Sequence, residues 1–168
     1  DVMDLEDENR ILVREGLKML RETAHPGMSA LIEVNELPRE RLSAFHIGFV
    51  LGPCINAGGR LDTAKRALEL LDTQDYELAL RRAKELKDLN DERKTMTEQG
   101  VKAGIRQIEN GPLRDDRVLV VYLPDCHESL AGIIAGRIRE RYYRPVFVLT
   151  RGEEAVKGSG RSIETYSM

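Results

Sequence analysis

Tryptophan is absent, only 5% of the residues are aromatic, and there are just two cysteines. Cys54 and Cys126 stand far apart with no C-x-x-C spacing, which excludes a disulfide scaffold and a cysteine zinc site and suits a reducing, cytoplasmic compartment. No run approaches the ~20 apolar residues that cross a bilayer. The opening DVMDLEDENR is acidic where a secretory signal would be basic and then apolar, so neither a membrane protein nor an exported one is expected. His25, His46 and His127 are scattered, with no H-x-x-x-H or D-x-D-x-D spacing. Neither cysteine sits in a nucleophile pattern, and these residues alone make no complete catalytic centre.

What is present is an ordinary globular mixture: 168 residues, 41% hydrophobic and 33% charged, enough to bury a core. The net charge of −3 divides into −5 for residues 1–75, +1 for 76–110 and +1 for 111–168. No basic face advertises nucleic acid. A polyanion site would have to be local, built from a few placed arginines.

Residues 5–22 carry apolar positions at three- and four-residue steps, acids first and Lys18 and Arg21 last, which predicts a helix ended by His25-Pro26-Gly27. Shorter helices are expected over Met28–Val34 and over Arg39–Leu51, the second started by Pro38 and stopped by Gly52-Pro53. The stretch 75–110 keeps helical spacing amid alternating charges and reads as one helix about 50 Å long. Gly100 and Gly104, each costing about 1 kcal/mol against alanine, mark the place for a bend or break. Beyond Asn110-Gly111-Pro112 the pattern changes. Val118–Leu123 and Pro145–Thr150 read as buried strands and Ser129–Tyr142 as the crossover helix between them, a βαβ unit with parallel strands. Lys157–Ser162 should begin or edge a third strand. The fold class is α/β: a helical first part, a long connecting helix and a partial α/β domain. A parallel sheet this small leaves a face and an edge uncovered, and residue 1 is not methionine; both suggest a piece of a longer chain.

Three stretches hold unusual residue choices. In LGPCINAGGRL, Gly52, Gly58 and Gly59 permit a turn that brings backbone N–H groups and Arg60 onto a phosphate; the plainer alternative is a helix-to-helix turn with Arg60 paired to an acid such as Asp62. In DCHESLAG, Asp125, His127 and Ser129 fall where a strand hands over to its helix, a place that favours anions, although a simple helix cap explains them equally well. Gly132 and Gly136 suit close helix–sheet packing. In KGSGRS, hydroxyls and cations alternate with glycine, as a phosphate or carboxylate grip requires, or as a flexible surface loop allows; it is not a Walker loop. The last two stretches are expected to converge on one concave anion site.

Taken in order, LGPCINAGGRLDTA, LKDLNDERK, VLVVYLPDCHESLAGIIAGRIRERYYRPVFVLT and KGSGRSIE resemble the RecJ single-stranded-DNA-specific exonucleases of the DHH phosphoesterase superfamily, over nearly the whole chain. The resemblance implies that residues 1–72 are the C-terminal part of a DHH domain, 73–110 the connecting helix, and 111–168 the N-terminal half of the DHH-associated domain. It implies an internal fragment whose parent hydrolyses single-stranded DNA 5′ to 3′ in repair and recombination. The parent's two Mn²⁺ or Mg²⁺ ions would be held by a D-H-H triplet and other aspartates upstream of Asp1. This chain then carries neither a catalytic residue nor a metal ligand, and by itself is expected to be inactive. Carried over residue by residue, Arg60, Ser159, Arg161 and Ser162 match positions that approach DNA phosphates, and His127 matches the histidine before the crossover helix. Cys54 departs from the family, which often has arginine there, and so do Gly58-Gly59, often alanines or alanine and serine. Single-stranded DNA is the implied partner, with helicase or single-strand-binding proteins as partners of the parent. Two alternatives stay open: an oligonucleotide or cyclic-dinucleotide phosphodiesterase of the same superfamily, and a non-catalytic module that binds nucleic acid or protein.

Overall fold

Acidic Asp7 and Glu8 open the first helix, α1 (Asp7–Arg21), and Lys18 and Arg21 close it, each complementing the helix dipole. The computed structural model describes residues 4–166. α1 closes at Arg21, before His25-Pro26-Gly27 is reached, and that triplet instead starts α2 (Pro26–Val34). Pro26 needs no N–H partner in a first turn, and His25 Nδ1 accepts the Met28 N–H at 3.4 Å.

The helix expected over Arg39–Leu51 is divided. A 3₁₀ turn covers Arg39–Arg41, and Ser43 then caps a new start, its N–H donating to His46 Nδ1 at 3.2 Å. The single turn α3 (Ala44–His46) runs through a π-helical stretch, Ile47–Leu51, straight into α4 (Gly52–Leu61). Gly52-Pro53 therefore does not stop the helix. The Gly52 N–H reaches back to the Ile47 carbonyl, and this wider turn accommodates a proline that an α-helical interior rejects. A Cβ on Gly52 would lie 2.8 Å from that carbonyl oxygen. LGPCINAGGRL is thus helical rather than a glycine-permitted turn, and among the described residues no glycine has positive φ. Helix α5 (Lys65–Asp72) follows.

Next comes α6 (Tyr76–Asn110), 35 residues without a break. The chain divides into two compact units, residues 1–91 and 92–168, and α6 crosses the division. Unit 1 is helical. Its core holds Leu31, Leu42, Leu51, Leu70 and Leu86, together with fully buried Cys54, whose Sγ accepts the Asn90 side-chain N–H at 3.6 Å.

In unit 2, β1 (Leu119–Tyr122) pairs in parallel with β2 (Val146–Arg151), and α7 (Ala131–Tyr142) connects them, as the βαβ pattern predicts. The third strand, β3 (Val156–Arg161), is antiparallel to β2, because the short turn after Arg151 reverses the chain. The sheet is accordingly mixed, in the order β1-β2-β3, and not all parallel. Leu119, Val121, Val146 and Val148 face Ile134 and Ile138 of α7 in one buried cluster, whereas Val120 and Tyr122 are exposed. Gly100 and Gly104 break nothing. A Cβ on Gly100 would collide with Ile134 Cδ1, and one on Gly104 would come 2.7 Å from Ile138 Cδ1, so both glycines let α7 pack directly on α6.

Candidate functional site

Strand periodicity sorts Lys157-Gly158-Ser159-Gly160-Arg161. Lys157, Ser159 and Arg161 stand opposite Thr150, Val148 and Val146, whose side chains are buried, so the three polar residues share the helix-covered face. That side of an edge strand usually carries apolar residues. Here Ser159 and Arg161 meet α7 at its second residue: a Cβ on Gly132 would lie 2.9 Å from Ser159 Oγ and 3.1 Å from Arg161 Nη2. Arg161 Nη1 also donates to the Gly160 carbonyl at 3.2 Å, which holds the guanidinium against its own strand. A recess of about 450 Å³ opens beside it, lined by Arg161, Arg137, Arg139 and Glu140 around Gly132 and Gly136, with Arg139 Nη2 3.7 Å from Glu140 Oε1, so that three guanidinium groups stand against one carboxylate. A Cβ on Gly136 would meet nothing within 4 Å, so this glycine faces the opening and is not a packing residue. Arg137 and Arg139 are absent from the sequence-based site; Arg139 follows Gly132 and Gly136 at helical steps of seven and three residues, whereas Arg137, next to Gly136, has no such spacing signal.

Ser162 plays a different part. Its hydroxyl donates to the Ile163 carbonyl at 3.1 Å, and its own carbonyl accepts Arg139 Nη1 at 3.4 Å. Lys157 is held by Glu128 at 2.7 Å; the ammonium lowers the Glu128 carboxyl below its usual range, and the carboxylate in turn raises Lys157.

His127 lies at the other end of the sheet, after the C-terminal end of β1. It caps the 3₁₀ turn Glu128–Leu130, its Nδ1 accepting the Ser129 N–H at 3.3 Å and lying 2.8 Å from Ser129 Oγ. With Asp125 and Cys126 it lines a second recess of about 350 Å³. His127 and Arg161 therefore open onto different recesses rather than one concave site, because the antiparallel course of β3 carries Arg161 toward Val146, away from the end where β1 stops. Burial pushes the Cys126 thiol up from its ordinary value. Arg60 belongs to unit 1, exposed in the last turn of α4.

Among the described residues no group of three His, Cys, Asp or Glu side chains is arranged to hold a metal, so these residues do not fit a metal-ion pair. Among the same residues no helix is long and apolar enough to cross a membrane.

No protein-family model matches the chain. The single-stranded-DNA-specific exonuclease RecJ of Salmonella typhimurium is 38% identical over 174 residues, spanning 100% of this chain and 30% of that protein. Its Bacillus subtilis counterpart is 34% identical over 170 residues, again across 100% of the chain but 22% of the relative. The chain thus spans less than a third of the length of these curated relatives. Among solved structures, RecJ from Thermus thermophilus in complex with Mg²⁺ superposes with a TM-score of 0.81 at 34% identity, covering 97% of this chain and 25% of that one. The same enzyme with Mn²⁺ gives a TM-score of 0.82. Sequence agreement along the entire chain and a shared fold make this chain similar, from end to end, to a part of the RecJ exonucleases.

Proposed function

We propose that this chain is the substrate-gripping part of a single-stranded-DNA-specific exonuclease. The observation that carries the reading is the placement of Ser159 and Arg161 on the helix-covered face of β3, converging on Gly132. Two donors held where a core would normally put apolar side chains suit an anion better than they suit packing, and a guanidinium on a phosphate oxygen is a strong, charge-assisted contact. Arg60, Ser159 and Arg161 are assigned to DNA phosphates, and His127 to the bound strand. Ser162 has a supporting role, because its hydroxyl proton is committed to Ile163 while its carbonyl steadies Arg139. Such contacts position a strand without reading its sequence.

In this reading residues 1–72 end a DHH domain, 73–110 connect, and 111–168 begin the DHH-associated domain. The intact protein would hydrolyse phosphodiesters from the 5′ end, in cytoplasmic repair and recombination, with Mn²⁺ or Mg²⁺ held by residues other than these. The single-stranded-DNA-specific exonuclease activity of the relatives and the Mg²⁺ and Mn²⁺ in their structures support the nuclease and metal parts of this reading.

Arg161→Ala in the intact protein is expected to weaken single-stranded DNA binding at least tenfold, the lower end of what a hydrogen bond to a charged group supplies. The salt dependence should flatten by about 0.7 in log–log slope, the contribution of one phosphate on a single strand. Fluorescence anisotropy with two unrelated oligonucleotides checks both. Unchanged affinity, or a defect confined to one sequence, would make Arg161 a structural residue and sink the grip.

A further inference from the structure

The recess behind β1 lies in unit 2 and differs chemically from the arginine-lined one. Its walls are apolar at Met96, Leu123, Pro124 and Leu130 and carry the amides of Gln99 and Gln107, and its volume of about 350 Å³ falls in the range of small-molecule sites. No Lys or Arg lines it, and Asp125 does, so a phosphate is disfavoured there. The polar groups are complementary in a specific way. His127 Nδ1 accepts the Ser129 N–H, which assigns the ring proton of the neutral imidazole to Nε2 and makes that nitrogen a donor. The Asp125 carboxylate, an acceptor only, lines the same recess two residues earlier. Gln107 Nε2 is already committed to the Tyr122 carbonyl at 2.7 Å, and His127 with Asp125 sets a donor beside a two-oxygen acceptor, a pair that fits a flat heterocycle whose edge reads acceptor, donor, donor. Guanine presents that edge through O6, N1–H and the N2 amino group. Uracil, with acceptors on both sides of one N–H, sets an oxygen against the carboxylate.

We propose that this recess binds a single unstacked guanine base, received edge-on by His127 and Asp125. The inference rests on the nucleic-acid reading for the source of the base, but uses residues separate from the arginine-lined grip. Bases splayed from a single strand are commonly held in this manner, by apolar contact on the ring and hydrogen bonds on its edge.

Cys126 supplies the reporter. It is half-buried in the recess, and the only other thiol, Cys54, is fully buried. Iodoacetamide alkylation of Cys126 in the 168-residue chain is followed by mass spectrometry with guanosine, uridine or inorganic phosphate added separately. Guanosine is expected to slow the reaction in a saturable way, while uridine and phosphate leave it unchanged. Asp125→Asn, at an exposed position, should raise the guanosine concentration for half-protection about tenfold, the loss expected when one base contact fails. Absence of protection by guanosine, equal protection by uridine, protection by phosphate, or an unmoved half-point in Asp125→Asn would each overturn the proposal. Failure here, with the Arg161→Ala defect in DNA binding intact, removes the guanine site and leaves the exonuclease reading standing. Guanosine protection without that defect removes the phosphate grip instead.

Discussion

At Gly132 the absence of a side chain is what lets Ser159 and Arg161 converge, since any Cβ there would come within 2.9 Å of the serine hydroxyl. The helix conformation itself does not require glycine at that position; the close approach of β3 does. Cys126 illustrates the opposite case, a residue whose chemistry is set by its surroundings. Burial disfavours the thiolate, so its folded-state pKa lies above the unfolded one. The sign follows: whatever stability the neutral thiol contributes is present below the ordinary thiol pKa and is lost as pH rises through the raised value. Alkylation of Cys126 in the native chain should therefore reach half its plateau rate at a higher pH than in urea. A native midpoint equal to or below the unfolded one would mean that neighbouring charge, not desolvation, governs this thiol.

Among the elements, α6 shows how the sequence can be right about the helix and silent about its glycines. Composition alone makes Gly100 and Gly104 look like weak points, whereas they interlock with Ile134 and Ile138 at matching four-residue spacing on α7. Ile134 and Ile138 are fully buried, so neither can swing away from an added methyl group. Overpacking costs about 1–3 kcal/mol and outweighs the roughly 1 kcal/mol that alanine gains in helix propensity. Gly100→Ala and Gly104→Ala should each destabilise unit 2, read as a lower urea midpoint, and a rise in midpoint would return these positions to mere helix weakeners.

Legibility in the sequence follows local period. Buried-strand runs and the crossover helix have strong local periods and were found within a few residues. The direction of β3 was not, because Lys157–Ser162 has no apolar alternation and its pairing is fixed by β2. The helical course of Gly52–Leu61 was hidden by Gly52-Pro53, a stop signal that the π-helical turn at Ile47–Leu51 overrides. For the site, KGSGRS announced its donors, but only the strand register reveals that Lys157, Ser159 and Arg161 share one face, and only α7 adds Arg137 and Arg139.

For the whole molecule, the two buried clusters have no residue in common: one is centred on Leu31, Leu70 and Leu86, the other on Leu119, Ile134 and Ile138. Each is a core by composition, apolar throughout and fully closed to solvent at its largest side chains. A cavity cut in one cluster removes contacts only there, and local stability in proteins is distributed over such cooperative units. Leu70→Ala, which empties a completely buried site in unit 1, should cost about 2–5 kcal/mol of that unit's stability. Hydrogen exchange reports where the loss falls. The Ser29 and Leu37 amides, bonded to His25 and Ile32 carbonyls within unit 1, should exchange faster. Those of Leu119 and Leu123, bonded to Pro145 and Leu149 across the β1–β2 pair, should hold their protection. If all four accelerate together, α6 transmits the damage and the chain unfolds as one cooperative body, a result that would also bind the stability of the Arg161 site to the packing of the helical unit.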